Sequence, residues 1–259
     1  MRFTRGVVGF LMVVGLLMSM AGSALAQAKA PASFKLRPGG VATVSFEAYC
    51  TDFGKFFPQT ILVPNGVAPD KIRAALAYIQ QQGFTADTDK ALEANDAIWQ
   101  LAGATRAPAG GTTTQDVIKN ATTPPADPTG TSILDAATAN QVKLTLASWQ
   151  PGPKVQILSA TDSFYGRGTL TVENISQQEL TLFLPVGTLF PGSEARFQVM
   201  GGYQTDVQVN NPQLPNTGAA EANPGLLIAL LAFSLLSGGY IITRRAQAAA
   251  TPRAQTPKA

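Results

Sequence analysis

One stretch of this 259-residue chain leaves almost no freedom in how it folds. Residues 225–243 read GLLIALLAFSLLSGGYIIT, without a single charge. At about 1.5 Å of rise per helical residue the run nearly matches a hydrocarbon core of roughly 30 Å, and about 17–25 residues suffice to span one. In lipid the backbone must hydrogen-bond to itself, so the expected form is a transmembrane helix. Pro224 stands just before the run, where its missing N–H costs nothing. Arg244-Arg245 follow it and mark the cytoplasmic end. Everything upstream is then expected on the outer side.

The front of the chain reads as an export signal. Arg2 and Arg5 precede an apolar stretch, Val7 to Met20, and Ala24-Leu25-Ala26 has the small-x-small form of a cleavage site. Residues 1–26 are expected to be removed, leaving Gln27 as the mature start. No Cys follows the apolar stretch, so lipoprotein processing is not expected.

These two ends carry the chain's net positive charge. The sequence pI is about 9.1. Yet Arg2, Arg5, Arg244, Arg245, Arg253 and Lys258 all lie outside residues 27–217, where Glu221 is the only acid. The retained segment is therefore slightly acidic, which argues against a nucleic-acid partner. With no His and one Cys, His-dependent nucleophiles, His metal sites and internal disulfides are excluded. Neither a cofactor nor a metal is expected, and an ordinary hydrolase is not the reading.

Just outside the apolar run stands Leu214-Pro215-Asn216-Thr217-Gly218. Pentapeptide, span and short basic tail in that order resemble the sorting signal of sortase-anchored Gram-positive surface proteins. The resemblance implies that sortase attacks the carbonyl of Thr217, that Gly218 leaves with the span, and that the acyl group passes to a cell-envelope amine. The membrane is then a partner only before processing, through residues 225–243. The local chemistry suits this: Pro215 fixes its own φ and pushes Leu214 toward an extended conformation, and Gly218 has no Cβ to obstruct the attacking group. A cell-surface, wall-anchored location follows.

The exported segment reads as α+β. In Ala42 to Cys50 (ATVSFEAYC), Val44, Phe46, Ala48 and Cys50 share one face and Thr43, Ser45, Glu47 and Tyr49 the other, as in a half-buried strand. Residues 70–82 predict an amphipathic helix with the stripe Ile72, Ala75, Leu76 and Ile79, ended by Gly83. A second helix is predicted over 87–102, with Ala91, Leu92, Ile98, Trp99 and Ala102 inward. Asp87, Asp89, Glu93 and Asp96 read as its solvated face. Residues 103–131 are rich in Gly, Pro, Thr and Ala, with a helical turn near 116–120; Ser132 could cap a short helix over 133–139. From Gln141 the period becomes two, with strands at 142–146, 169–172, 179–184, 196–200 and 206–209. This predicts a small strand-plus-helical-hairpin module over 27–131, an antiparallel β-sandwich over 132–210, and an anchor over 211–259. Only Asn211-Pro212-Gln213 separate the last strand from the pentapeptide, a short leash at roughly 3.3–3.6 Å per extended residue.

One cysteine invites chemistry. Tyr49-Cys50, followed by helices and then by Ala94-Asn95-Asp96-Ala97-Ile98-Trp99, resembles the thioester domains of bacterial surface adhesins over about residues 42–102. The resemblance implies a bond between Cys50 and a downstream Gln, with Gln156 the candidate among several, and Asn95 as a supporting polar group where the family has Gln. An amine on a target surface protein or glycan would open such a bond. The residues alone also fit Cys50 as a small buried hydrophobe. Asn95 falls on the buried stripe of its helix, where an unpartnered amide would cost about 1–3 kcal/mol. A specific hydrogen bond, with the strand ending at Cys50 as candidate, is therefore expected. The function class expected is binding, as an adhesion module, with a wall-proximal structural role as the alternative.

Overall fold

The computed structural model describes residues 32–213. The export signal, the pentapeptide and the apolar run lie outside them. Among the described residues no helix is long and apolar enough to cross a membrane.

In chain order the strands are β1 (Phe34–Leu36), β2 (Val41–Cys50), β3 (Gly66–Val67), β4 (Thr131–Ser132), β5 (Val142–Pro151), β6 (Val155–Ile157), β7 (Ala160–Asp162), β8 (Tyr165–Asn174), β9 (Leu180–Phe183), β10 (Thr188–Phe190) and β11 (Met200–Asn210). The helices are α1 (Asp70–Gln82), α2 (Thr88–Leu101), α3 (Thr112–Asn120) and α4 (Ile133–Thr138), with a 3-10 turn at Phe84–Ala86. Helices combined with mainly antiparallel sheets make the segment α+β and sandwich-like.

The larger sheet has six strands in the order β3-β10-β11-β2-β8-β5; the smaller has the order β1-β9-β4. Strand β2 lies inside the larger sheet, antiparallel to β11 from Cys50↔Met200 to Val41↔Asn210 and to β8 from Val41↔Glu173 to Tyr49↔Tyr165. The long strand of segment 27–131 is thus held between two strands of segment 132–210. The two segments, read from sequence as successive modules, share one sheet and one hydrophobic core. Period-two alternation tells which residues face inward but not which strand lies alongside.

The local signals that set the helices are plain. Pro69 precedes α1, and Gly83 ends it in the left-handed region (φ 64), with its N–H reaching the Ile79 and Gln80 carbonyls. The Asp87 side chain caps α2 by accepting from the Asp89 and Lys90 N–H groups. Helix α3 is longer than the helical turn expected there. Its Thr113 N–H and Thr114 hydroxyl bond to the Glu93 side chain and the Glu93 carbonyl, fastening it to α2. Ser132 caps α4 through the Asp135 N–H. Residues 196–199 form only an isolated bridge, Phe56↔Phe197, and β11 begins at Met200.

Aromatic rings fill the sheet's core face. Phe46 stacks on Phe190 with centroids 4.2 Å apart, and lies 6.2 Å from Trp149 across Gly168. A Cβ on Gly168 would stand 2.5 Å from Phe46 Cζ, so only glycine lets that ring lie over its neighbour strand.

Candidate functional site

The far end of β2 is where buried polar chemistry gathers. Cys50 is fully buried and its thiol approaches Met200 Sδ at 3.8 Å, within its own ladder pair. Burial holds its pKa well above the ordinary thiol value, and the charges of Asp162 and Asp52 add to the rise. A lone thiol in this setting is protonated and unreactive toward solutes.

Gln156, expected as its partner, lies elsewhere in kind. It is exposed on the β6–β7 hairpin, where its amide donates to the Leu158 carbonyl and its carbonyl accepts from the Thr161 hydroxyl. No hydrogen bond joins it to Cys50; its carboxamide is exposed and committed to its own turn, while the Cys50 sulfur is buried.

The structure brings a different glutamine to the place. Gln198 is buried, and it sits two residues before Met200, the ladder partner of Cys50. Its carbonyl accepts from Trp99 Nε1 at 3.3 Å, while its amide donates to the Lys55 carbonyl at 3.1 Å. The sequence signal was present: Gln198 is a single polar residue inside Phe197-Gln198-Val199-Met200. In an alternating reading it looked like one more face change, whereas the chain here leaves the ladder and folds the amide inward. Trp99 is core, as its spacing suggested, and also a donor.

Asn95 is completely buried on α2, one turn before Trp99. Neither its amide nitrogen nor its oxygen has a partner. The specific hydrogen bond expected for it is therefore not made, and the strand ending at Cys50 does not supply one. Asp96 next to it departs from the solvated face predicted for it: it is only 5% exposed, and one of its oxygens has no partner. Burial, reinforced by the nearby charge of Glu93, raises its pKa to about 7.

A pocket of about 570 Å³ opens beside these residues. It is lined by Thr51 and Val199, which flank Cys50 and Gln198 in sequence, by Leu101 and Ala102 after Trp99, and by Asp52 and Asp70.

A second polar cluster occupies the other face of β2. Glu47 accepts from Arg167 Nε and from the Tyr203 hydroxyl, both at 2.8 Å, its neighbours on the two flanking strands. The ring of Tyr49 stacks between Tyr165 and Tyr203 at 5.7 and 6.5 Å, with its hydroxyl unpartnered.

Comparison with known families gives one match. Residues 206–248 match the LPXTG cell wall anchor motif, a span that begins within β11 and contains Leu214 to Gly218. Neither curated proteins nor solved structures returned a match. The match supports a chain exported and processed by sortase, and makes it a surface protein anchored to the cell wall.

Proposed function

We propose that the exported domain is an adhesion module, a binding protein rather than an enzyme, and that its attachment runs through a Cys50–Gln198 thioester. The observation that carries this is the buried Gln198 carboxamide, polarised by the Trp99 N–H and placed two residues from the ladder partner of Cys50. A donor on the carbonyl oxygen stabilises the charge that develops there when a nucleophile adds. In ring closure the Cys50 sulfur bonds to Gln198 Cδ, the Cδ–Nε2 bond breaks, and the thiol proton leaves on the nitrogen as ammonia. Burial shields the acylated sulfur from hydrolysis by keeping water from the carbonyl. The unpartnered amide of Asn95, on the same helical face as Trp99, is available to a group that exists only in the closed or reacting form.

The target is a primary amine on a surface protein or glycan. Its nitrogen bonds to Gln198 Cδ, the sulfur–carbon bond breaks, and the amine's proton returns to Cys50. The adjoining pocket offers a space through which the amine can approach; its charged lining is Asp52, Asp70 and Lys71, with Asp52 paired to Lys55. Wall anchoring presents such a module to its surroundings without any catalytic turnover.

Intact-mass spectrometry of the mature protein tests the bond. The expected mass is about 17 Da below that of the sequence, from the lost ammonia, and Cys50→Ala or Gln198→Ala restores the full value. Methylamine should add to Gln198 and free one thiol. A full-mass native protein whose Cys50 alkylates once unfolded overturns the covalent reading and leaves a wall-proximal structural domain.

A further inference from the structure

The folded domain does not stop at its last strand. Strand β11 ends at Asn210, paired with Val41. The Asn211 side-chain oxygen Oδ1 then accepts from the Arg37 backbone N–H at 2.9 Å, and its Nδ2 donates to the Lys35 carbonyl at 3.2 Å. The turn between β1 and β2 is shaped for this. Gly39 has φ 70, which suits glycine, and Gly40 has no room for a side chain because a Cβ there would collide with Asn211 Oδ1. A Cβ on Gly39 would lie 3.7 Å from Pro212 Cγ, so Pro212 is seated against the same turn. Gln213 is then the single residue between this clamp and Leu214, the first residue of the sorting pentapeptide.

One extended residue spans at most about 3.6 Å, far less than the width of a folded domain. An enzyme that takes Leu214 to Gly218 as an extended strand must bring its own groove to that distance from the β1–β2 turn. We infer that Asn211 is a positioning residue for the anchoring reaction: its bonds to Arg37 and Lys35 hold the chain to the domain until one residue before the pentapeptide, and sortase engages after the 211–213 segment peels away. The inference rests on the sortase reading of the pentapeptide. The chemistry itself is unchanged. The enzyme's thiolate bonds to the Thr217 carbonyl carbon, the amide to Gly218 breaks and its nitrogen leaves protonated, and an envelope amine then displaces the thiol.

The full-length precursor, expressed in a Gram-positive host with the matching sortase, supplies the test. Pulse–chase labelling follows conversion of precursor to wall-linked protein. Two lost hydrogen bonds in Asn211→Ala are expected to speed conversion by about tenfold. A Gly-Ser insertion between Pro212 and Gln213 leaves every clamped residue intact and should give a similar gain by lengthening the leash. Thr217→Ala must abolish conversion; if it does not, or if the wild type is never converted, the sortase reading itself fails. Wild-type conversion with an unchanged or slower rate in the insertion variant overturns the inference, whatever Asn211→Ala does to folding.

Discussion

From Val41 to Ser45, half-buried and buried residues alternate along β2, while from Phe46 to Cys50 every residue is buried. The first half is a strand with one core face and one polar face, as its sequence alternation says. The second half has the same alternation, but α1 and the 3-10 turn close over its outer face: Leu76 of α1 lies against Gly201, the ladder partner of Tyr49. The difference teaches that a polar residue at an outward position is not thereby solvated. Glu47 and Ser45 hold equivalent places in the pattern, yet Glu47 is 9% exposed and needs two partners, whereas Ser45 needs none.

The sharpest way to break this comparison is to remove its core ring. Phe46 is 1% exposed and stacked on Phe190. Phe46→Ala should cost about 3–5 kcal/mol and lower Tm by roughly 10 °C, read by calorimetry. Thr43→Ala, in the first half of the strand, should stay within about 0.5 kcal/mol of wild type. Similar losses at both positions would mean that the core face and the polar face of β2 do not differ in burial.

The next effect is electrostatic. Arg167→Ala leaves the Glu47 carboxylate, whose side chain is 11% exposed, with the Tyr203 hydroxyl as its remaining partner. Fully buried ion pairs lose about 3–5 kcal/mol when one member is removed, and Arg167 is more than half exposed, so about 2 kcal/mol is expected. Glu47→Gln keeps an acceptor for Tyr203 and should cost less, about 1 kcal/mol. Urea unfolding of the two variants orders them, and an Arg167→Ala protein as stable as wild type would show that Glu47 is solvated after all.

The same contrast explains what could be read in advance. Helix limits were legible because they rest on local chemistry: Gly83 in its left-handed conformation, the Ser132 cap, the Ile72–Ile79 stripe. The face of β2 was legible as far as Ser45. Its partners were not, since β8 and β11 lie more than a hundred residues away and alternation carries no address. The short strands β1, β3, β4, β6 and β7 have too few residues to show a period. At the candidate site, the burial of Cys50, Asn95 and Trp99 followed from their stripes, but Gln198, the burial of Asp96 and the cover over Glu93 did not. That cover is α3, formed within a Gly/Pro/Thr-rich stretch whose composition gives little sign of a packed helix.

Asp96 therefore separates a buried helix face from the solvated one that composition suggested, and it does so with a sign. Its pKa is about 7 in the folded protein, against an ordinary value of 3.8, with burial the larger cause and Glu93 the smaller. Between those values the folded state binds the extra proton, so this group's contribution to stability falls as pH rises from about 4 to about 7 and stays low above. Asp96→Asn removes the titration while keeping the shape. At pH 8 the variant should be more stable than wild type and melt at a higher temperature. Near pH 3, where the carboxyl is protonated in both states, the two proteins should melt together. A Tm difference that does not change between these pH values would mean that the carboxylate of Asp96 meets water as freely in the folded chain as in the unfolded one.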